Sequence, residues 1–214
     1  TVTQLSNEGK TVDFAVGKPA TPSTTEHTPR SANGLDYFKS YCAFLAQQLW
    51  GGQSPYIGNY FETWNEFDGY WQATNPDRRP HSDYAGIVKA TSDGVKSVNP
   101  NAKIAAPASA GNGLSLLSAV FNANAGGYID FCAIHMYDWG KSPKEGTRNI
   151  MSNIAATRDL LNSNGRSDVP IWVTETGWAS GVYGINEKQQ GYYLVQAYAM
   201  FQENNLVDKM FIYT

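Results

Sequence analysis

The chain has 214 residues, 42% of them hydrophobic and 16% charged, with a formal net charge of −3 at pH 7. That length can bury a large single core, and the composition is globular, with charge below the usual quarter. An acidic balance argues against nucleic acid as a partner, and no apolar run approaches the ~18 residues of a membrane span.

The elements alternate along the chain. Residues 11–16 read as a strand, and residues 21–33 as a loop rich in Thr, Ser and Pro. A helix with apolar periodicity is expected over 35–49, stopped by Gly51-Gly52. A strand over 57–66 ends at Glu66. Ser82 or Asp83 is positioned to cap a helix running to Val98, closed by Asn99-Pro100. Short strands follow at 103–106 and 129–134, with a helix over 114–123 between them. A helix over 149–162 is closed by Asn164-Gly165, and a strand over 169–175 ends at Glu175. A long helix over 187–204 and the start of a last strand at 210–213 complete the pattern.

This is β-α repeated, the rhythm of a parallel sheet with right-handed crossovers. The strands are short, apolar and mostly unalternating, as expected where both faces are covered. Polar residues gather at strand carboxyl ends: Glu66, His135, Tyr137 and Glu175. Such placement marks a (β/α)8 barrel or an open doubly wound sheet. No Gly-rich phosphate loop opens a helix, which disfavours a nucleotide-binding sheet. A single domain over 1–214 is expected.

Two strand ends carry the chemistry. One reads Phe61-Glu62-Thr63-Trp64-Asn65-Glu66; the other reads Trp172-Val173-Thr174-Glu175-Thr176-Gly177-Trp178. Two carboxylates brought to one rim suit glycoside hydrolysis. One protonates the departing oxygen, and the other meets the positive charge growing at the anomeric carbon. Trp71, Trp139 and Trp178 follow strand ends, where flat rings can stack on the C–H faces of sugars.

With Trp64-Asn65-Glu66, His135-x-Tyr137 and Glu175-Thr176-Gly177-Trp178 together, the chain resembles glycoside hydrolase clan A, closest in flavour to family 39. The resemblance covers about the third strand to the start of the eighth. It implies an α/β fold, a TIM barrel with about six of its eight strands present. The first two βα units and the C-terminal end would be lacking. It implies retention of anomeric configuration, Glu66 as acid/base, Glu175 as nucleophile and Asn65 on the sugar 2-hydroxyl. Tyr137 would hydrogen-bond the nucleophile, and His135 would help shape the site. A nearby hydroxyl favours the charged nucleophile, while partial burial and a neighbouring carboxylate help an acid keep its proton. The partner implied is a β-linked carbohydrate, with neither cofactor nor metal, and the function class favours secretion. Open strand edges would invite self-association. Phe67-Asp68 stands where many members have Pro after the Asn-Glu pair.

Other readings stand beside these. The chain opens at Thr1 with no methionine and no leader, so a processed, trimmed or excerpted protein is expected. A non-catalytic carbohydrate-binding barrel would keep the same aromatics. A barrel lyase would want a strand-end Lys, and a metal hydrolase would want clustered His and Asp; His27, His81 and His135 form no cluster in sequence. Cys42 and Cys132 read as buried free thiols. Glu62 reads as an internal hydrogen-bonding carboxylate, and Asp68 and Asp138 as cap or turn residues. Trp50 and Trp172 are expected between helices and sheet, and Tyr192, Tyr193, Tyr198 and Phe201 in the core.

Overall fold

A computed structural model describes residues 13–16, 29, 31–50, 59–68, 80–137, 141–181 and 184–213. Trp71, Trp139, Asp138 and His27 lie outside these residues. In chain order the elements are β1 (Asp13–Val16), α1 (Ala32–Trp50), β2 (Tyr60–Thr63), α2 (Tyr84–Val98), β3 (Lys103–Ala105) and β4 (Ser109–Ala110). Then follow α3 (Leu114–Asn122), β5 (Cys132–His135), α4 (Pro143–Ser163), β6 (Ile171–Thr176), α5 (Glu187–Asn204) and β7 (Lys209–Ile212).

Among the described residues the strand pairings are all parallel, in two runs ordered β1-β2-β3 and β4-β5-β6-β7. The two runs join along residues 103–110. There Ala105 bridges Phe131, and the Ala108 N–H donates to the Ala133 carbonyl at 2.9 Å. The chain is thus an α/β protein in which each crossover between paired strands carries a helix.

Strand parity separates two packing faces. Phe61, Ile104, Cys132, Ile134, Ile171 and Val173 belong to the large core that the helices cover. Their neighbours of opposite parity, Ala105, Phe131, Ala133 and Trp172, form a second cluster with Tyr60 and Phe211. That cluster is built from strand and strand-flanking residues alone, and it defines an inner face. Trp172 was expected against the helices. It lies instead on the inner face, its ring 4.2 Å from that of Phe131, because its parity matches Ala133 and opposes Ile171. Lys209 Nζ sits 4.4 Å from the centre of the Trp172 ring.

α3 and α5 start where expected, at Leu114 and Glu187, while the N-terminal turns of α2 and α4 differ from expectation. Residues 81–83 form a 3-10 turn before α2, and Asp83 makes no side-chain cap to the helix. α4 begins at Pro143, several residues earlier than apolar periodicity indicates, with its proline in the first turn, where the absent N–H is no loss. α5 begins with a reciprocal cap between Asn186 and Gln189. On α5, Phe201 is buried and Tyr193 packs against the core, but Tyr192 and Tyr198 are exposed, so the aromatic run is core only in part. Cys42 and Cys132 are free and buried, and burial pushes each thiol up to about 12. α1 and α2 approach closely at Gly94, where a Cβ would meet the Lys39 carbonyl and lie 2.9 Å from the Cys42 Cβ.

Candidate active site

Glu66, His135, Tyr137 and Glu175 converge at the carboxyl ends of β2, β5 and β6. Register explains how they meet. Cys132 pairs with Ile171, Ala133 with Trp172 and Ile134 with Val173; then His135 pairs with Glu175, skipping Thr174. His135 has the parity of Ala133 and so lies on the inner face. In an unbroken strand Glu175 would share the parity of Ile171 and Val173 and face the helices. The one-residue bulge at Thr174 returns it to the inner face beside His135.

Glu66 arrives by a different device. β2 ends at Thr63, and the chain then turns through Trp64 at φ 63° and Glu66 at φ 46°. Left-handed backbone at two non-glycine residues costs on the order of 1 kcal/mol each. The turn is held from several sides. The Trp64 ring packs 5.8 Å from Phe38 and 6.4 Å from Phe67. The Glu66 N–H donates to the Ala108 carbonyl at 2.8 Å, and Asp68 Oδ1 accepts the Ala110 N–H at 3.1 Å. Burial raises the Asp68 pKa, and the bond from Ala110 partly offsets this. Asp68 therefore anchors the rim loop across to β4. Below the turn, the buried Tyr84 hydroxyl of α2 lies 2.7 Å from both the Thr63 and Pro107 carbonyls.

His135 is the hub. Its Nδ1 is 3.0 Å from Glu66 Oε1 and 3.7 Å from Glu175 Oε2. Its Nε2 is 3.5 Å from Glu62 Oε2. That last contact is at ion-pair distance, too long for a good hydrogen bond, and Glu62 Oε1 has no hydrogen-bond partner among the described residues. Burial alone would lower the His135 pKa. The carboxylate of Glu62, followed by those of Glu66 and Glu175, more than offsets this and lifts it from 6.5 to about 9. Tyr137 donates its hydroxyl to Glu175 Oε2 at 2.9 Å. Burial, reinforced by that bond, pushes its phenol well above the usual range.

One ligand atom from each of Glu66, His135 and Glu175 lies within 4.8 Å of the other two. A cation could use the same three atoms, but a ring nitrogen that donates its proton to Glu66 has no lone pair left for a metal. The two glutamates remain partly open, with side chains 32% and 26% exposed, while the His135 side chain is sealed. The site can therefore offer two carboxyl groups to one reacting atom beside a buried imidazole ring.

The remaining candidates fall elsewhere. Asn65 is exposed in the turn beside Glu66. Trp178 is 2% exposed, its indole N–H given to the Lys141 carbonyl at 3.0 Å and its ring set edge-on to Tyr193. It has no ring face open for a sugar and instead braces the segment after β6. Sequence reading placed Glu62 as an internal carboxylate but did not connect it with His135. The usable signal was parity, because Glu62 pairs with Ala105 of the inner cluster. The Tyr84 anchor carried no signal, since its partners are backbone carbonyls.

This constellation on parallel strands is of the glycoside hydrolase kind, and the chain belongs to the glycosyl hydrolase catalytic core family, whose model matches residues 59–214. Among solved structures it is similar to a family 39 glycoside hydrolase from the gut symbiont Bacteroides cellulosilyticus WH2, with 22% identity and a TM-score of 0.76 over 99% of this chain and 44% of that one. It is similar also to a monomeric beta-xylosidase from Caulobacter crescentus CB15, with 18% identity and a TM-score of 0.67 over 98% of this chain and 46% of that one. An alpha-L-arabinofuranosidase from Thermotoga maritima, solved with arabinose, shares 16% identity at a TM-score of 0.64 over 99% of this chain and 45% of that one. At these identities the likeness is one of fold. The chain spans less than half the length of each of these structures. No curated protein matches the sequence.

Proposed function

We propose that the chain carries the catalytic centre of a retaining glycoside hydrolase acting on β-glycosides, on strands that belong to a (β/α)8 barrel. The observation that carries this reading is the pair of Glu66 and Glu175 carboxylate oxygens within 4.8 Å of each other across His135. Carboxyl groups stand about 5–5.5 Å apart for retention and about 6.5–9.5 Å for inversion, where a water fits between them, and facing oxygens this close favour the shorter class.

Glu175 is the nucleophile. Its carboxylate attacks the anomeric carbon while Glu66 gives its proton to the departing glycosidic oxygen, leaving a glycosyl ester on Glu175. Glu66, now a carboxylate, removes a proton from water, whose oxygen attacks the same carbon and releases Glu175. Two inversions give net retention. The Tyr137 hydroxyl stabilises charge on Glu175 Oε2 before attack and as that charge returns on release. Asn65, exposed beside Glu66, is within the loop that would meet the sugar hydroxyls.

The test uses the chain with aryl β-glycosides and a 2-fluoro glycoside trap. The label is expected on Glu175, and Glu175→Gln should abolish it. Glu66→Gln should slow substrates with poor leaving groups by ~100-fold or more, while sparing those that depart with little protonation. A label on Glu66, or equal slowing of both substrate types, overturns the roles. Sugar binding by a chain that neither labels nor turns over favours the non-catalytic barrel.

A further inference from the structure

Glu62 is a buried carboxylate that the two-step chemistry does not use. It sits on β2, four residues before Glu66, with its side chain 6% exposed and no hydrogen bond to Oε1 among the described residues. A charged group in such a place needs a partner of opposite sign. Its lateral neighbours in register are Ala15 on β1 and Ala105 on β3, neither of which can pair with it. Among the described residues the Tyr84 phenol from α2 and the Cys132 thiol from β5 also interact with it, and burial keeps both protonated and neutral. The cation facing it is His135, 3.5 Å away.

His135 in turn meets carboxylate oxygens on both ring nitrogens: Glu62 at Nε2, and Glu66 and Glu175 at Nδ1. Ionised Glu62 and Glu175 only accept, and Glu66 Oε1 can accept whether or not its other oxygen carries the proton, so a ring with both nitrogens protonated serves every one of these contacts. We propose that Glu62 is a positioning residue: its carboxylate pairs with Nε2 and holds His135 doubly protonated, so that Nδ1 meets Glu66 as an N–H donor throughout turnover. The inference rests on Glu66 being the acid/base. A fixed positive ring beside Glu66 favours the carboxylate that forms when Glu66 releases its proton to the leaving group. Without Glu62 the sealed ring would lose its counter-ion and drop one proton. Glu66 would then face a neutral imidazole, free to accept the proton meant for the substrate.

The test reads the ring directly. The chain has three histidines, so 15N-detected imidazole spectra resolve them, and His135→Asn identifies the signal by its loss. At pH 7.5 both His135 ring nitrogens are expected to be protonated. In Glu62→Gln the ring should be neutral at that pH. Glu62→Asp, which draws the carboxylate back by one methylene, should weaken His135 proton affinity by about tenfold while keeping the charge. A neutral His135 in the unaltered chain overturns the proposal, as does an unchanged titration midpoint in either folded variant. The glutamine variant should also lose more kcat on poor leaving groups than on activated ones, with KM little changed. The spectra need no turnover. A chain that cleaves nothing can still carry the charged pair, and an active chain with a neutral His135 keeps the glycosidase reading and loses this one.

Discussion

Replacing Tyr84 with Phe removes one oxygen from the most heavily used anchor beneath the site. The ring is fully buried and packs 5.2 Å from Phe67, so the phenylalanine fits the same space and leaves no cavity of consequence. What is lost is a donor. The hydroxyl lies 2.7 Å from the carbonyls of Thr63 and Pro107, and its single proton serves both. Both carbonyls stay in a dry interior, so the cost is that of a buried acceptor left short of its donor, about 1–3 kcal/mol. Urea unfolding of the 214-residue chain should show the unfolding free energy falling by that amount, read as a lower midpoint at unchanged slope. Tyr192→Phe is the control: that ring is 58% exposed, and its loss should stay within about 0.5 kcal/mol. A Tyr84→Phe change as small as the control would mean that water satisfies the two carbonyls and that α2 does not tie β2 to residue 107.

Gly94→Ala should destabilise by about 1–3 kcal/mol, because the new methyl would drive α1 from α2 at the Lys39 carbonyl; equal midpoints for variant and parent would show that the helices can separate freely. Stability should also fall with rising pH. His135 has a folded pKa of about 9 against 6.5 unfolded, so its contribution is complete below pH ~6.5 and is lost as pH rises through ~9. At ~1.4 kcal/mol per pKa unit that is about 3 kcal/mol, measurable as urea midpoints at pH 6 and pH 9. The two buried thiols add to this loss only at the top of the window, by under about 1 kcal/mol together at pH 9, where each would be half ionised if exposed. A flat profile from pH 6 to 9 would remove the charged ring.

The six strand lines and five long helices were legible because apolar runs, Gly breaks and strand-end polar residues are local signals. Glu66 and Glu175 were legible as strand-end residues for the same reason. The bulge at Thr174 was not. In parallel strands an extra residue is defined only against its neighbours, here the pairing of His135 with Glu175, and no turn residue announces it. Trp172 was misplaced because a strand covered on both faces has no polar alternation to reveal which side is which. Tyr192 and Tyr198 have helical spacing, but spacing shows only which residues share a face, and whether anything covers that face is a tertiary matter. Trp178 looked like a sugar platform from its place after a strand. The acceptor that draws it inward, the Lys141 carbonyl, lies well upstream in sequence.

The two glutamates reach one point by two irregular routes, and the irregularities explain each other. On regular strands, Glu175 would face the helices and Glu66 would lie beyond the end of β2. A bulge corrects the first, and two left-handed residues correct the second. Neither is stabilising alone, since a bulge gives up ladder pairing and left-handed backbone is strained at Trp and Glu. Both are held in place from outside the site. On one side are the Trp64 ring against Phe38 and Phe67, the Asp68 bond to Ala110 and the Glu66 N–H on Ala108. On the other is the Met136 N–H, which donates to the Glu175 carbonyl at 2.8 Å just past the bulge. Two carboxyl groups this close would repel whenever both were ionised, and the ring between them is placed to offset that repulsion. His135 touches both, and Glu62 behind it supplies the further negative charge that keeps the ring cationic. The arrangement is thus a four-membered set, three carboxyl groups around one imidazolium, in which Glu66 alone gains and loses its proton during turnover. Removing the buried member should disturb the exposed ones although it touches neither the substrate nor the solvent.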